Sequence, residues 1–460
     1  MKHQHKHTLD TVTEESIIFL SIFKWVTLAA LIGVFVGAST ALFLKILHLG
    51  EGFTAQFSYY YLVFPVALVG VTLAAHHLAP DSKGHGTEKV IRAVHKNQGK
   101  LRLRIIPVKL LTTIITIASG GSVGKEGPCA QIGAAIASAF AQLCRFSISD
   151  RKTLVICGIS AGFSAVFGTP IAGAIFGVEV LFMGNLVYGV LLPSFISGMV
   201  SYQVANAMGI TYHYNIMTLS QSFDFKLFSI VVASGIFFGL ISLLFIEINK
   251  WMEKRVNKIK CSIAMKAFVG GILFVLIIYA TSDIYLGLGL NVIDSVLEGN
   301  SIIWYAFILK IILTSLTLAI GGSGGVLTPI FFIGATAGVT FATLFGLDTA
   351  IFAAIGLVAV LGGAANTPLA ACVLAIELFG PALAPYATVA CVISFFMTGY
   401  RSIFPSQVLS GVKAQGILIK KGDEVETFEP HYDYHTRKVM VSGKVMAKRV
   451  LKWPSGIRKP

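Results

Sequence analysis

The chain has 460 residues, of which 55% are hydrophobic and 13% charged, with a mean hydropathy of +0.78. A soluble domain carries about 25% charged residues, so this composition excludes a protein that solvates a large aqueous surface. The net charge of +14 does not indicate nucleic-acid binding, because the basic residues lie in loops and tail, where membrane topology concentrates them.

Residues 1–23 read as a polar cytoplasmic N-terminal arm whose His3, His5 and His7 belong to a solvated terminus rather than a metal site. The first apolar run lies behind this polar start, so no cleavable signal peptide is expected. From about residue 24 to 400, apolar runs recur. Many reach the ~20 residues that cross a bilayer, and others are shorter and broken by Gly and Pro. Lipid tolerates such breaks only where the freed backbone is buried in protein or lines a wet cavity. Six cysteines (Cys129, Cys144, Cys157, Cys261, Cys372, Cys391) show no paired-ligand spacing and mostly read as small buried residues.

An internal repeat is the strongest signal. Gly120–Gly133 reads GGSVGKEGPCAQIG and Gly321–Gly334 reads GGSGGVLTPIFFIG. The same spacing separates Lys109 from Lys310, each on the apolar segment entering its motif. Thr169-Pro170-Ile171-Ala172 with Glu179 likewise matches Thr367-Pro368-Leu369-Ala370 with Glu377. The repeat divides the chain into a first membrane half, 24–212, and a second, 213–405, followed by a short basic cytoplasmic tail, 406–460. That tail is too polar to span the bilayer; docking on the cytoplasmic face and contact with anionic lipid both remain open for it.

Charge orients the halves. The first motif's lead-in follows a loop holding Lys96, Lys100, Arg102 and Arg104, so it starts in the cytoplasm. The second follows 286–301, with Asp294 and Glu298 but no Lys or Arg, and so starts outside, as does the 210–226 loop. The 250–260 loop holds Lys250, Lys254, Arg255, Lys258 and Lys260 and returns to the cytoplasm with both termini. The expected fold is therefore an all-α polytopic membrane protein. It comprises two inverted-topology helical repeats whose broken half-helices meet at a midplane anion site.

Each glycine-rich break precedes a half-helix, Pro128–Ala141 or Pro329–Leu344. Its first amides lack intrahelical acceptors and carry roughly half a positive charge. Two such ends aimed at one point bind an anion weakly enough to release it; glycine for helix packing is the competing explanation. Glu126 stands where the second repeat has Leu327, so duplication does not account for it. A carboxylate there competes with the transported anion until it is protonated, which makes Glu126 a gate and proton acceptor. A static ion pair with Lys125 is the alternative; Lys125 otherwise raises the positive potential at a pore mouth. Lys109 and Lys310 supply field along the pathway or satisfy helix-end carbonyls. Glu179 and Glu377 read as structural.

These residues resemble the CLC family of chloride channels and chloride/proton antiporters. Gly124-Lys125-Glu126-Gly127-Pro128 looks like that family's GREGP, Gly325-Val326-Leu327-Thr328-Pro329 like its GIFAP, and Pro107-Val108-Lys109 is also familiar. The resemblance covers nearly all of residues 24–410. It implies a homodimer with a pore in each subunit, anion contacts from the amides of Val326 and Leu327, and Glu126 as the outer gating glutamate. The candidate anion-binding set is His85, Gly86, Lys125, Gly127, Gly325, Val326, Leu327 and Phe404.

Three departures stand out. The family's GSGIP best matches Gly84-His85-Gly86-Thr87-Glu88, so His85 replaces the anion-contacting serine. Phe404, in Ser402-Ile403-Phe404-Pro405-Ser406-Gln407, replaces the central tyrosine and deletes its hydroxyl. Val180 occupies the place of the inner proton-transfer glutamate, which favours weak or absent proton exchange. The tail is also too short for paired CBS domains. The resulting expectation is a multi-pass cell-membrane protein that transports chloride or a similar small anion. A strict chloride/proton antiporter is the alternative; a fluoride/proton antiporter is less favoured because of Pro128. No cofactor, metal, nucleic acid or enzymatic chemistry is implied, since no ligand cluster or nucleophile–base pair is found within the apolar segments.

Overall fold

Apolar runs interrupted by glycine and proline fold as helices of unequal length in the computed structural model. It describes residues 2–212, 214, 216, 225–414 and 417–432, with side chains from Thr13 onward. Eight helices form the first series: α1 Lys2–Thr54, α2 Phe64–Leu78, α3 Gly86–Lys96, α4 Ile105–Ala118, α5 Glu126–Leu143, α6 Ile148–Phe167, α7 Pro170–Glu179 and α8 Leu191–Ala207. The second is α9 Phe225–Lys258, α10 Ile263–Ala280, α11 Leu290–Leu297, α12 Ala306–Ala319, α13 Leu327–Phe345, α14 Thr349–Ala365, α15 Pro368–Phe379 and α16 Ala384–Met397. Among the described residues, five helices are long and apolar enough to cross a membrane: Thr13–Thr54, Tyr60–Leu78, Phe225–Lys258, Ile263–Ala280 and Leu327–Phe345. The chain is an all-α membrane protein.

The helices α6 and α14, at corresponding places in the two series, match at both ends. Ser147 caps α6 by accepting the Asp150 amide at 3.1 Å, and Asp348 caps α14 by accepting that of Ile351 at 3.0 Å. Gly168 (φ 72°) and Asn366 (φ 56°) close the same two helices in the left-handed conformation. A Cβ on Gly133 would collide with the Gly158 carbonyl, and one on Gly334 with the Gly356 carbonyl, so glycine sets the α5–α6 and α13–α14 approach.

The halves also clasp each other reciprocally. Glu179, ending α7, accepts the α15 amides of Leu369 (3.1 Å) and Ala370 (2.8 Å). Glu377 accepts the α7 amides of Ile171 (3.0 Å) and Ala172 (2.7 Å). Each carboxylate neutralises the positive end of the other half's helix, a structural role for both. The serines of the two GGS motifs repeat the exchange: Ser122 bonds Thr314 at 3.0 Å, while Ser323 bonds Thr113 at 3.2 Å and Thr112 at 3.0 Å.

One stretch differs from expectation. The arm over 1–23 is helical from Lys2 and continues unbroken into the first membrane helix, because no glycine or proline precedes Gly33. The described part of the tail folds back onto the membrane region. Val408–Leu409 (β2) pairs in parallel with Phe182–Met183 (β1), and Ile417–Leu418 (β3) pairs antiparallel with His431–Tyr432 (β4). Buried Lys413 donates to Asn366 Oδ1 at 2.5 Å and the Phe395 carbonyl at 2.7 Å. The tail beyond Tyr432, the side chains of His3, His5 and His7, and most of the 210–226 loop lie outside the described residues.

Candidate functional site

Three chain breaks converge. Gly124 donates its amide to the Gly325 carbonyl at 2.8 Å and Gly325 returns the bond at 2.6 Å, while His85 pairs in parallel with Gly324. The N-terminal ends of α3, α5 and α13 are thereby held together. A Cβ on Gly86 would collide with the Gly127 carbonyl, which fixes how closely α3 approaches α5.

Glu126, 1% exposed, opens α5, and its carboxylate crosses to the other half. Oε1 accepts the Leu327 amide at 2.5 Å and Oε2 accepts the Thr328 hydroxyl at 2.6 Å. A Cβ on Gly124 or Gly325 would occupy the space of that carboxylate. The first turn of α13, whose amides of Val326 and Leu327 are the candidate anion donors, thus holds the glutamate's negative charge. Sequence reasoning missed Thr328; its one signal is a polar residue matched to Gly127 in the repeat.

Lys125 is half-buried and forms no ion pair with Glu126 among the described residues. It instead lines a cavity of about 670 Å³ with Lys45, His48, Glu51 and Asp294. Lys109 and Lys310 sit symmetrically on loop carbonyls. Lys109 donates to Ser82 (3.1 Å) and Gly84 (2.5 Å), and Lys310 to Tyr285 and Gly287 (both 3.0 Å). Both are fully buried, and their geometry is that of loop anchors.

On the opposite side of the break, the His85 and Phe404 rings lie 5.7 Å apart. Phe404 is fully buried, and His85 Nδ1 has no hydrogen-bond partner among the described residues. A second cavity of about 450 Å³, lined by Lys250, Lys254, Arg401 and Pro405 among others, reaches His85. Glu88 accepts the Ser406 amide on both oxygens (3.2 and 3.3 Å) and also the Ser406 hydroxyl. It ties α3 to the Phe404 segment, a link the sequence did not disclose. Val180 closes α7 at its C-terminal end. It is fully buried, and its carbonyl accepts Gln407 Nε2 at 2.9 Å.

Glycine-broken half-helices, opposed across a buried carboxylate, define a membrane anion transporter. The model of the voltage gated chloride channel family matches residues 66–399, and the chain belongs to that CLC family of anion channels and transporters. It is 36% identical over 396 residues to a chloride/fluoride channel protein of Pseudomonas syringae pv. tomato, covering 84% of this chain and 86% of the relative. A voltage-gated ClC-type chloride channel, ClcB, of Citrobacter koseri is 28% identical over 304 residues, covering 62% and 71%. Among solved structures, a CLC-type fluoride/proton antiporter superposes with a TM-score of 0.81 at 29% identity, covering 85% of this chain and 99% of that one. A slow cyanobacterial chloride/proton antiporter shares the fold, with a TM-score of 0.72 at 18% identity over 81% and 94% of the two chains.

Proposed function

We propose that the protein carries chloride through one pathway per subunit of a homodimer, with Glu126 as gate and proton acceptor. The observation that carries this reading is the Glu126 carboxylate seated on the Leu327 amide and Thr328 hydroxyl. An anion arriving from the cavity beside Lys125 needs those same donors, so it enters when the carboxylate is protonated and leaves. His85 and Phe404 border the inner end, where aromatic rings replace the family's hydroxyl donors. Fluoride is the second reading, favoured by the names of the 36% and 29% identical relatives and opposed by Pro128. Proteoliposomes loaded with equal chloride and fluoride test it through ion-selective electrodes. Chloride efflux at least tenfold above protein-free vesicles is expected; fluoride efflux without chloride efflux establishes the second reading.

The proposed orientation places 250–260 and both termini in the cytoplasm and the two halves upside down to each other. Their basic loops and the reciprocal caps of α7 and α15 support it. Cys144 and Cys261 are exposed, unlike the four buried cysteines, and lie beside the basic segments. An impermeant thiol reagent is expected to modify both only after the cells are permeabilised. Labelling of Cys261 on intact cells overturns the orientation.

A further inference from the structure

Around the feet of α3, α4 and α5 lies an open cleft of about 1390 Å³ that the anion pathway does not use. Six cations line it: Lys89, Arg92, Lys96, Lys100, Arg102 and Arg104, against a single carboxylate, Asp81. Lys96 is spoken for by Glu424 at 2.9 Å, and Arg102 stands 3.9 Å from Asp81. Lys89, Arg92, Lys100 and Arg104 have no carboxylate within pairing distance among the described residues. Topology explains the sign of these charges. It does not explain why four unpaired cations share one concave wall, since repulsion between them favours dispersal or interspersed acids.

The rim adds a second observation. Leu103 and Leu143 also line the cleft and are 62% and 82% exposed. They flank Ile105, the first residue of α4, and the last turn of α5, both apolar helices of the membrane region. The cleft therefore sets cations beside exposed leucines at the ends of membrane-region helices. Anions that bring both phosphate and acyl chain meet that combination; free phosphate leaves the leucines uncovered.

We propose that this cleft binds the headgroup of an anionic phospholipid, with its phosphates on Lys89, Arg92, Lys100 and Arg104 and its acyl chains against Leu103 and Leu143. A two-phosphate headgroup such as that of cardiolipin matches four cations best. Basic pockets at the ends of membrane helices suit such headgroups because point charges meet phosphate at low local dielectric. The inference requires membrane residence but is independent of which halide is carried.

The test is native mass spectrometry of the purified full chain, titrated with cardiolipin or with phosphatidylcholine. The variant combines Lys89→Gln, Arg92→Gln, Lys100→Gln and Arg104→Gln. At roughly fivefold per cation, it is expected to lose cardiolipin affinity by about 600-fold, with phosphatidylcholine unchanged. If it does not fold, Lys100→Gln with Arg104→Gln is measured alone, and a loss of roughly 25-fold is expected. Equal cardiolipin binding by wild type and variant overturns the proposal. So does displacement of all bound cardiolipin by low concentrations of pyrophosphate in the wild type, which assigns the cleft to a soluble phosphate ligand instead.

Discussion

Glu126→Gln is expected to leave anion flux intact while flattening its dependence on pH. In the wild type the carboxylate occupies the first turn of α13 through the Leu327 amide and the Thr328 hydroxyl. Hydrogen bonds to a charged group contribute about 1.5–3 kcal/mol each, so neutralising it frees those donors by roughly tenfold or more. Wild-type flux should therefore rise as pH falls. Glutamine keeps the length and an acceptor for the Leu327 amide, but its neutral amide imitates the protonated acid at every pH. Its flux should equal or exceed the acid-limit flux of the wild type, with any proton movement gone. The measurement is chloride efflux from proteoliposomes across acid to neutral pH. A folded variant that no longer moves anions would make Glu126 part of the scaffold and sink the gating role.

What the sequence disclosed and what it concealed have one physical cause. Glycine, proline and charge are costly in an apolar helix, so their positions are informative. The two breaks, Glu126, the paired lysines and the repeated Glu179 and Glu377 were all legible for that reason. Buried serine and threonine are not, because a hydroxyl in a helix can satisfy itself on the preceding turn. Thr336, bonded to the Phe332 carbonyl at 2.7 Å, does so, while Thr328 reaches Glu126 instead. Sequence alone cannot distinguish these cases. Partner choice across the halves was hidden likewise: the crossing of α7 and α15 brings each glutamate to the other's helix start. Glu88 was visible only as a departure from a proline, and its bond to Ser406 required the fold. Cys144 and Cys261 are the two exposed cysteines because they lie at helix ends, where exposure depends on loop placement.

A chloride gradient across the wild-type protein is expected to drive little or no obligatory proton movement. A proton crossing from the cytoplasmic side to Glu126 needs a titratable carrier or a water chain. Val180, where the family's inner glutamate is expected, is fully buried, and its backbone carbonyl anchors Gln407. The adjacent carboxylate, Glu179, is no ready substitute, since both its oxygens cap α15. Turning it toward the pathway strands two amides at about 1–3 kcal/mol each. Glu88, beside the Phe404 segment, is held on both oxygens by Ser406. With both carboxylates engaged, proton entry depends on water reaching past His85 and Phe404, and the fully buried Phe404 ring carries no group that exchanges protons. The measurement uses proteoliposomes with a clamped membrane potential, an imposed chloride gradient and an external pH indicator. Proton flux is expected to stay at least tenfold below anion flux. Uphill proton pumping at a fixed ratio, as the antiporter names of the structural relatives suggest for those proteins, would instead show that Glu88, Glu179 or a water chain does the work that Val180 cannot.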